Sequence, residues 1–200
     1  MEYIGIRSLA ALLCTLAILV FAGLAPKAAH AADAYKVDPV HSSVVFGIEH
    51  LGVAAFYGAF TDIEGEIVFD ENNLKQSSVN IAVPVKKVDT RNWMRDRHLK
   101  SKDFFNAGKF SEMTFQSARV EKITRDTYEV QGVFSMMGIA RDMTIEVTMT
   151  GQGKGMQKEE RIGFGAEFTI KRSDYGMTYG MEGLLGDDVK VCLSVEGVKK

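Results

Sequence analysis

Cysteine is nearly absent from this 200-residue chain: Cys14 and Cys192 are the only two. With so few, a disulfide framework and a cysteine-based zinc site are both excluded. A basic stripe is missing as well. The 24 Lys/Arg stand against 26 Asp/Glu, a net charge of −2, so nothing points to a nucleic-acid partner. No linker, composition break or internal repeat divides the sequence, which leaves one domain as the reading. There is no G-x-S-x-G elbow, and Ser42-Ser43 beside His41 are strand neighbours that point alternately, not a nucleophile–base pair. Gly151, Gly153 and Gly155 lack a βαβ context, so a dinucleotide fingerprint is excluded too.

The one long apolar run is at the start. Arg7 precedes Leu9–Ala25, and small residues then lead to Ala29-His30-Ala31, an A-x-A pattern. That is the layout of a cleaved signal peptide over residues 1–31, and it predicts an exported, periplasmic protein. The run approaches spanning length, but the polar sequence after it argues for removal rather than a permanent anchor. Cys14 lies inside the run, not at its end, which argues against a lipidated cysteine. Removal leaves residues 32–200 and takes Glu2, Arg7 and Lys27 with it, so the net charge of −2 becomes −3. Cys192 alone survives and is expected to be buried and inert.

What is abundant is period-two alternation of apolar and polar residues, the mark of strands with one buried face. Val44, Phe46 and Ile48 alternate, and a longer segment from Phe56 to Phe69 sets Ile63, Ile67 and Phe69 against Asp62, Glu64 and Glu66. Val79, Ile81, Val83 and Val85 follow, with Pro84 marking a strand edge or bulge. Later segments run Met113–Lys122, Tyr128–Met136, Met143–Met149, Ile162–Ile170 and Val189–Val195. About eight antiparallel strands with one apolar face predict a closed barrel or a sandwich. The charge-dense stretch Asn92–Phe105 does not alternate and predicts a short helix or helical lid. The glycine-rich Ser173–Asp188 predicts a long loop of the binding-loop kind.

If the barrel is partly hollow, its inward face carries Phe46, Ile48, Phe60, Phe115, Phe134, Met136, Phe164 and Phe168, and an apolar lining takes an apolar guest. Trp93, Met94, Leu99 and Phe104 from the helical stretch and Tyr175 and Met177 from the loop are expected to extend that lining at the mouth. The same alternation also describes a fully packed barrel core, so periodicity leaves a structural barrel open. Of the titratable groups, His41 and His50 fit no tight metal motif, and no metal is expected. His98, among Arg95, Asp96, Arg97 and Lys100, is the stronger candidate. Arg95 and His98 could meet a ligand headgroup through charge-assisted hydrogen bonds. Glu64 and Glu66 read as solvated charge on one strand face.

A series of short motifs then adds a resemblance. Asp38-Pro39-Val40-His41-Ser42 leads through His50-Leu51-Gly52, Gly58-Ala59-Phe60 and Gly65-Glu66-Ile67-Val68-Phe69-Asp70 to Val88-Asp89-Thr90. Arg95 to Phe105, Arg172-Ser173-Asp174-Tyr175-Gly176-Met177 and Val195-Glu196-Gly197-Val198 complete it. In order and spacing, from Tyr35 to Val198, this resembles the YceI-like family of exported lipocalin-like proteins. The resemblance implies an all-β fold, an eight-stranded antiparallel barrel with a short helix near its opening. It also implies binding of a polyisoprenoid, a polyprenyl phosphate or quinone-type chain, along the bore, with no other cofactor and no catalytic residues. The expected partner is therefore a small lipophilic ligand, with no nucleic acid and no membrane span after processing. An exposed barrel edge leaves room for a homodimer, though no residue pattern requires one. The rival functions are an enzyme acting on a lipophile through Asp96 and His98, and a packed structural or stress-response barrel.

Overall fold

Eleven strand segments close into eight staves. The computed structural model describes residues 31–200; the expected signal segment, apart from Ala31, lies outside them. The strands are β1 (Asp33–Val37), β2 (Ser43–His50), β3 (Ala54–Phe60), β4 (Glu64–Phe69), β5 (Ser78–Pro84), β6 (Val88–Asp89) and β7 (Glu112–Lys122). They continue with β8 (Thr127–Met136), β9 (Ile139–Lys154), β10 (Glu160–Lys171) and β11 (Leu185–Lys199), and one helix, α1 (Trp93–Leu99), lies between β6 and β7.

The register shows why eleven become eight. β1 pairs with the end of β11 (Tyr35 opposite Lys199), and β2 continues along the same strand from Ser43 opposite Ser194 to His50 opposite Leu185. Beside them, β4 pairs with β1 and β3 with β2, and next to those β5 pairs with β4 and β6 with β3. Three long staves are thus each broken once, and β7 to β11 supply five unbroken ones. The pairing of β1 with β11 closes the ring; β9 and β10 pair only from Thr148 to Lys154 opposite Glu160 to Gly165, and β6 pairs only with β3. Closure excludes the sandwich. It also corrects the single strand expected over Phe56–Phe69, which breaks at Thr61–Ile63, where Asp62 takes a left-handed φ of 58°. Pro84 ends β5, and a 3-10 turn over Val85–Lys87 precedes β6, consistent with a residue that cannot donate to a ladder. β1 and β6 were not anticipated, being too short to show a period.

Alternation places the inward residues. On β8, Tyr128, Val130 and Met136 are buried, and Phe134 is half-buried. Between them, a Cβ on Gly132 would come within 2.4 Å of the Gln116 carbonyl oxygen and 2.7 Å of the Phe115 ring, so glycine is what lets that ring lie across the strand. On β11, Val191 and Leu193 point inward, so Cys192 points outward. It is exposed, 3.9 Å from Glu167, not buried as expected, because parity on a strand outranks the usual preference of cysteine.

The two barrel ends differ. At one end, the far end, Phe69 meets Tyr128 edge-on at 5.4 Å and Phe164 at 5.6 Å, and these rings close the bore. At the other end stand the β2–β3 turn, α1, the β8–β9 turn and the β10–β11 loop. Among the described residues, no helix is long and apolar enough to cross a membrane.

Candidate ligand-binding site

Helix α1 is short because its signals are local. Asn92, in extended conformation, accepts from the Met94 and Arg95 N–H groups at 3.1 Å each, a side-chain N-cap. After Leu99 the chain turns back: Phe105 N–H donates to the Leu99 carbonyl at 3.0 Å, and Leu99, Phe104 and Phe105 are buried beneath the helix. Phe105 meets Phe60 edge-on at 5.5 Å, which ties the segment to β3.

Inside the barrel is a cavity of about 530 Å³, within the size range of small-molecule sites. Its wall follows β11 from Leu185 to Val195 and β10 from Phe164 to Ile170, with Arg172 just beyond, so it is an elongated bore. Apart from Thr114, the wall residues that are exposed are His50, Ala54, Ala55, Tyr179 and Leu184, all at the α1 end. That end is the mouth.

Phe46, Ile48, Phe60, Phe115, Phe134, Met136, Phe164 and Phe168 all line the cavity, as do Leu99, Phe104 and Met177. Three expected lining residues do not. Trp93 and Met94 are exposed, 69% and 56%, because α1 turns Leu99, Arg95 and His98 to the cavity and its opposite side to solvent. Tyr175 is buried but stands outside the wall, edge-on to Phe134 at 5.4 Å, where it supports the lining from behind.

The ionisable wall residues other than tyrosine are His50, Arg95, His98 and Arg172, and no Asp or Glu lines the cavity. Arg95 and His98 stand at the mouth, the place a headgroup contact requires, and each is held by a residue of the protein. Arg95 donates from Nε to Thr90 Oγ1 at 2.8 Å and from a terminal nitrogen to the Thr90 carbonyl at 2.7 Å, and its guanidinium lies 4.7 Å over the Phe56 ring. Asp96 Oδ1 accepts from Thr90 N–H at 2.9 Å and from Thr90 Oγ1 at 2.5 Å. Asp96 is thereby committed to holding Thr90. His98 pairs with Asp103 at 2.8 Å and packs edge-on against Phe104 and Tyr179, each at 5.0 Å. The pair Asp96 and His98, considered for acid–base work, therefore faces two different partners.

Arg172 is the residue missed. It is 1% exposed and donates to four backbone carbonyls: Gly186 at 2.7 Å, Tyr179 at 2.8 Å, Met177 at 3.0 Å and Leu185 at 3.2 Å. It thus ties the β10–β11 loop to the start of β11, and burial pulls its pKa down. A signal was present. Phe164, Ala166, Phe168 and Ile170 set the inward parity of β10, and Arg172 is the next position of that parity.

A separate polar cluster lies on the outside, where Asp38, His41 and Glu196 converge. Arg161 occupies it, bonded to Asp38 at 2.9 Å and, by shorter contacts, to Glu196, with Glu159 at 2.7 Å. The guanidinium supplies the positive charge there that a metal would otherwise bring.

Comparison with known proteins agrees with this architecture. The family model of the YceI-like domain matches residues 35–197. A UPF0312 protein of Yersinia enterocolitica is 39% identical over 167 residues, 82% of this chain and 86% of that one. Among solved structures, the YCEI protein of Campylobacter jejuni superposes with a TM-score of 0.67 at 30% identity, covering 76% of this chain and 90% of its own. Burkholderia cenocepacia BcnA shares the fold at a TM-score of 0.73 and 23% identity, covering 80% and 98%. A domain of Saccharophagus degradans described as polyisoprenoid-binding shares it at 0.64 and 15%, covering 84% and 99%.

Proposed function

Because this chain belongs to the YceI-like family, we propose that it is an exported, non-catalytic carrier that holds a polyisoprenoid-type lipophile in its bore. The observation that carries this is the elongated apolar cavity of about 530 Å³ with basic groups and no carboxylate in its wall. An apolar chain gains from entering such a bore. Each buried CH₂ is worth about 0.8 kcal/mol, so a five-carbon unit offers at most roughly 4 kcal/mol. Three or four units offer at most about 12–16 kcal/mol, which reaches micromolar affinity, about 8 kcal/mol, at the lower end of the association cost, about 4 kcal/mol. At the mouth, Arg95 keeps N–H groups that have no partner among the described residues, and a phosphate or quinone oxygen is the complement to such donors. The ligand class given for the Saccharophagus domain supports the same reading. Export to the periplasm is part of it, supported by the Leu9–Ala25 run and the A-x-A site.

Native mass spectrometry of protein purified from its export compartment, followed by organic extraction, tests the proposal. A mass excess that resolves into a prenyl chain is the expected result. Bare protein that also ignores added polyprenols and quinones would overturn it in favour of a structural barrel. Release of a hydrolysed or oxidised product over time would favour an enzyme instead.

A further inference from the structure

Large apolar side chains are exposed around the mouth. Leu51 (56%) and Val53 (83%) come from the β2–β3 turn, Trp93 (69%) and Met94 (56%) from α1, and Tyr179 (42%), Met181 (38%) and Leu184 (36%) from the β10–β11 loop. A soluble protein seldom gathers so many in one place without a use for them. Here they form one connected rim. Leu51 N–H donates to the Leu184 carbonyl at 3.0 Å, which joins the turn to the loop. Tyr179 packs against His98 and Phe104 at 5.0 and 5.1 Å, which joins the loop to the helical segment. Trp93 and Met94 stand on the solvent side of the same helix that carries His98.

Charge is distributed unevenly around the rim. Residues 91–109 hold six Lys/Arg against two Asp, a net of +4, whereas residues 173–188 of the β10–β11 loop hold four Asp/Glu and no Lys/Arg, so the basic side of the rim is the α1 side. Arg91, Arg97, Lys102 and Lys109 are all exposed, and Arg97 lies 5.3 Å over the Trp93 ring. Tryptophan, tyrosine, methionine and leucine projecting beside arginine and lysine are the side chains that settle at a lipid headgroup boundary, apolar parts inward and cations against phosphate.

We propose that the mouth rim docks on the surface of an anionic lipid bilayer, with Leu51, Val53, Trp93, Met94, Met181 and Leu184 inserted at the headgroup level and Arg91, Arg97 and Lys102 against the lipid phosphates. This surrounds the one end at which exposed residues line the bore, so a docked barrel exchanges its apolar guest with the bilayer without passing it through water. The docking itself does not depend on what fills the bore. Trp93 is the only tryptophan in the chain and lies outside the cavity wall, so its fluorescence reports the rim and not the cargo.

The test uses delipidated protein spanning Ala32–Lys200, which contains the whole barrel, with phosphatidylcholine vesicles prepared with and without phosphatidylglycerol. Anionic vesicles are expected to shift Trp93 emission to the blue and to carry the protein in flotation; neutral vesicles do so far less. Arg97→Glu with Lys102→Glu is expected to lower partitioning by at least tenfold, from about fivefold per charge at an anionic surface. Val53→Asp with Met181→Asp lowers it similarly, and neither pair changes the thermal melt because all four side chains are exposed. Absence of both blue shift and flotation with anionic vesicles would overturn the proposal, and would leave a protein partner as the occupant of the rim. Equal partitioning of the double variants and the parent would overturn it as well. Native mass spectrometry of the same preparation after mixing reads cargo uptake separately, so a failure of docking is distinguishable from a failure of the carrier reading.

Discussion

Thr90 holds Arg95 by both of its oxygens, the hydroxyl at 2.8 Å and the backbone carbonyl at 2.7 Å, while Asp96 holds Thr90. A headgroup ligand would therefore meet a guanidinium already fixed in place, so little ordering entropy opposes the contact. Replacing Arg95 and His98 with alanine is expected to weaken a pyrophosphate-bearing polyprenyl chain about tenfold to a hundredfold, the range of one or two charge-assisted hydrogen bonds. The bare hydrocarbon should hardly notice. Competitive binding of the two ligands measures this, and equal loss for both would remove the headgroup role.

Arg172 donates to four carbonyls, two of the β10–β11 loop and two at the start of β11, so its loss leaves four acceptors short of a donor. Arg172→Met is expected to destabilise the barrel by about 3–5 kcal/mol. Amide exchange in residues 173–186 should rise more than in β7 and β8. Exchange that rises evenly over the whole chain would mean that Arg172 holds the barrel and not the loop.

The Tyr128 hydroxyl is buried and has no hydrogen-bond partner among the described residues, and burial raises its pKa. Deleting an unsatisfied hydroxyl removes a desolvation cost, so Tyr128→Phe should be neutral or stabilising by about 1 kcal/mol in urea unfolding. A clear loss of stability would show that a water or a ligand atom serves that hydroxyl in solution.

Asp38 is held to a pKa of about 2, first by its hydrogen bond to His41, then by the Val40 N–H and by Arg161. Its folded value lies below the ordinary 3.8, so its stabilisation is complete above that value and is lost as pH falls toward 2. His41→Ala should raise the Asp38 pKa toward 3.8 and move the onset of acid unfolding to higher pH. Circular dichroism followed from pH 6 to pH 2 measures the shift. Superimposable curves for parent and variant would rule out the His41 contribution.

The sequence by itself determined the staves. Alternation in Ile162–Ile170 and Val189–Val195 fixes which side chains point inward, because a strand has only two faces and only one of them is dry. That same parity would have placed Arg172 inside, had it been followed one step past Ile170. Closure, the broken staves and the open bore were decided by tertiary structure. β1 and β6 exist only because β11 and β3 offer them a ladder, and two to five residues hold too little periodic signal to show it. Trp93 and Met94 share a helix with Arg95 and His98, and a seven-residue helix has too few turns for its apolar pattern to fix which side faces in. The underlying Leu99 and Phe105 make that choice. Whether a lining of phenylalanine and methionine interlocks or leaves about 530 Å³ empty depends on strand number and stagger, which set the barrel's width and are properties of the closed ring.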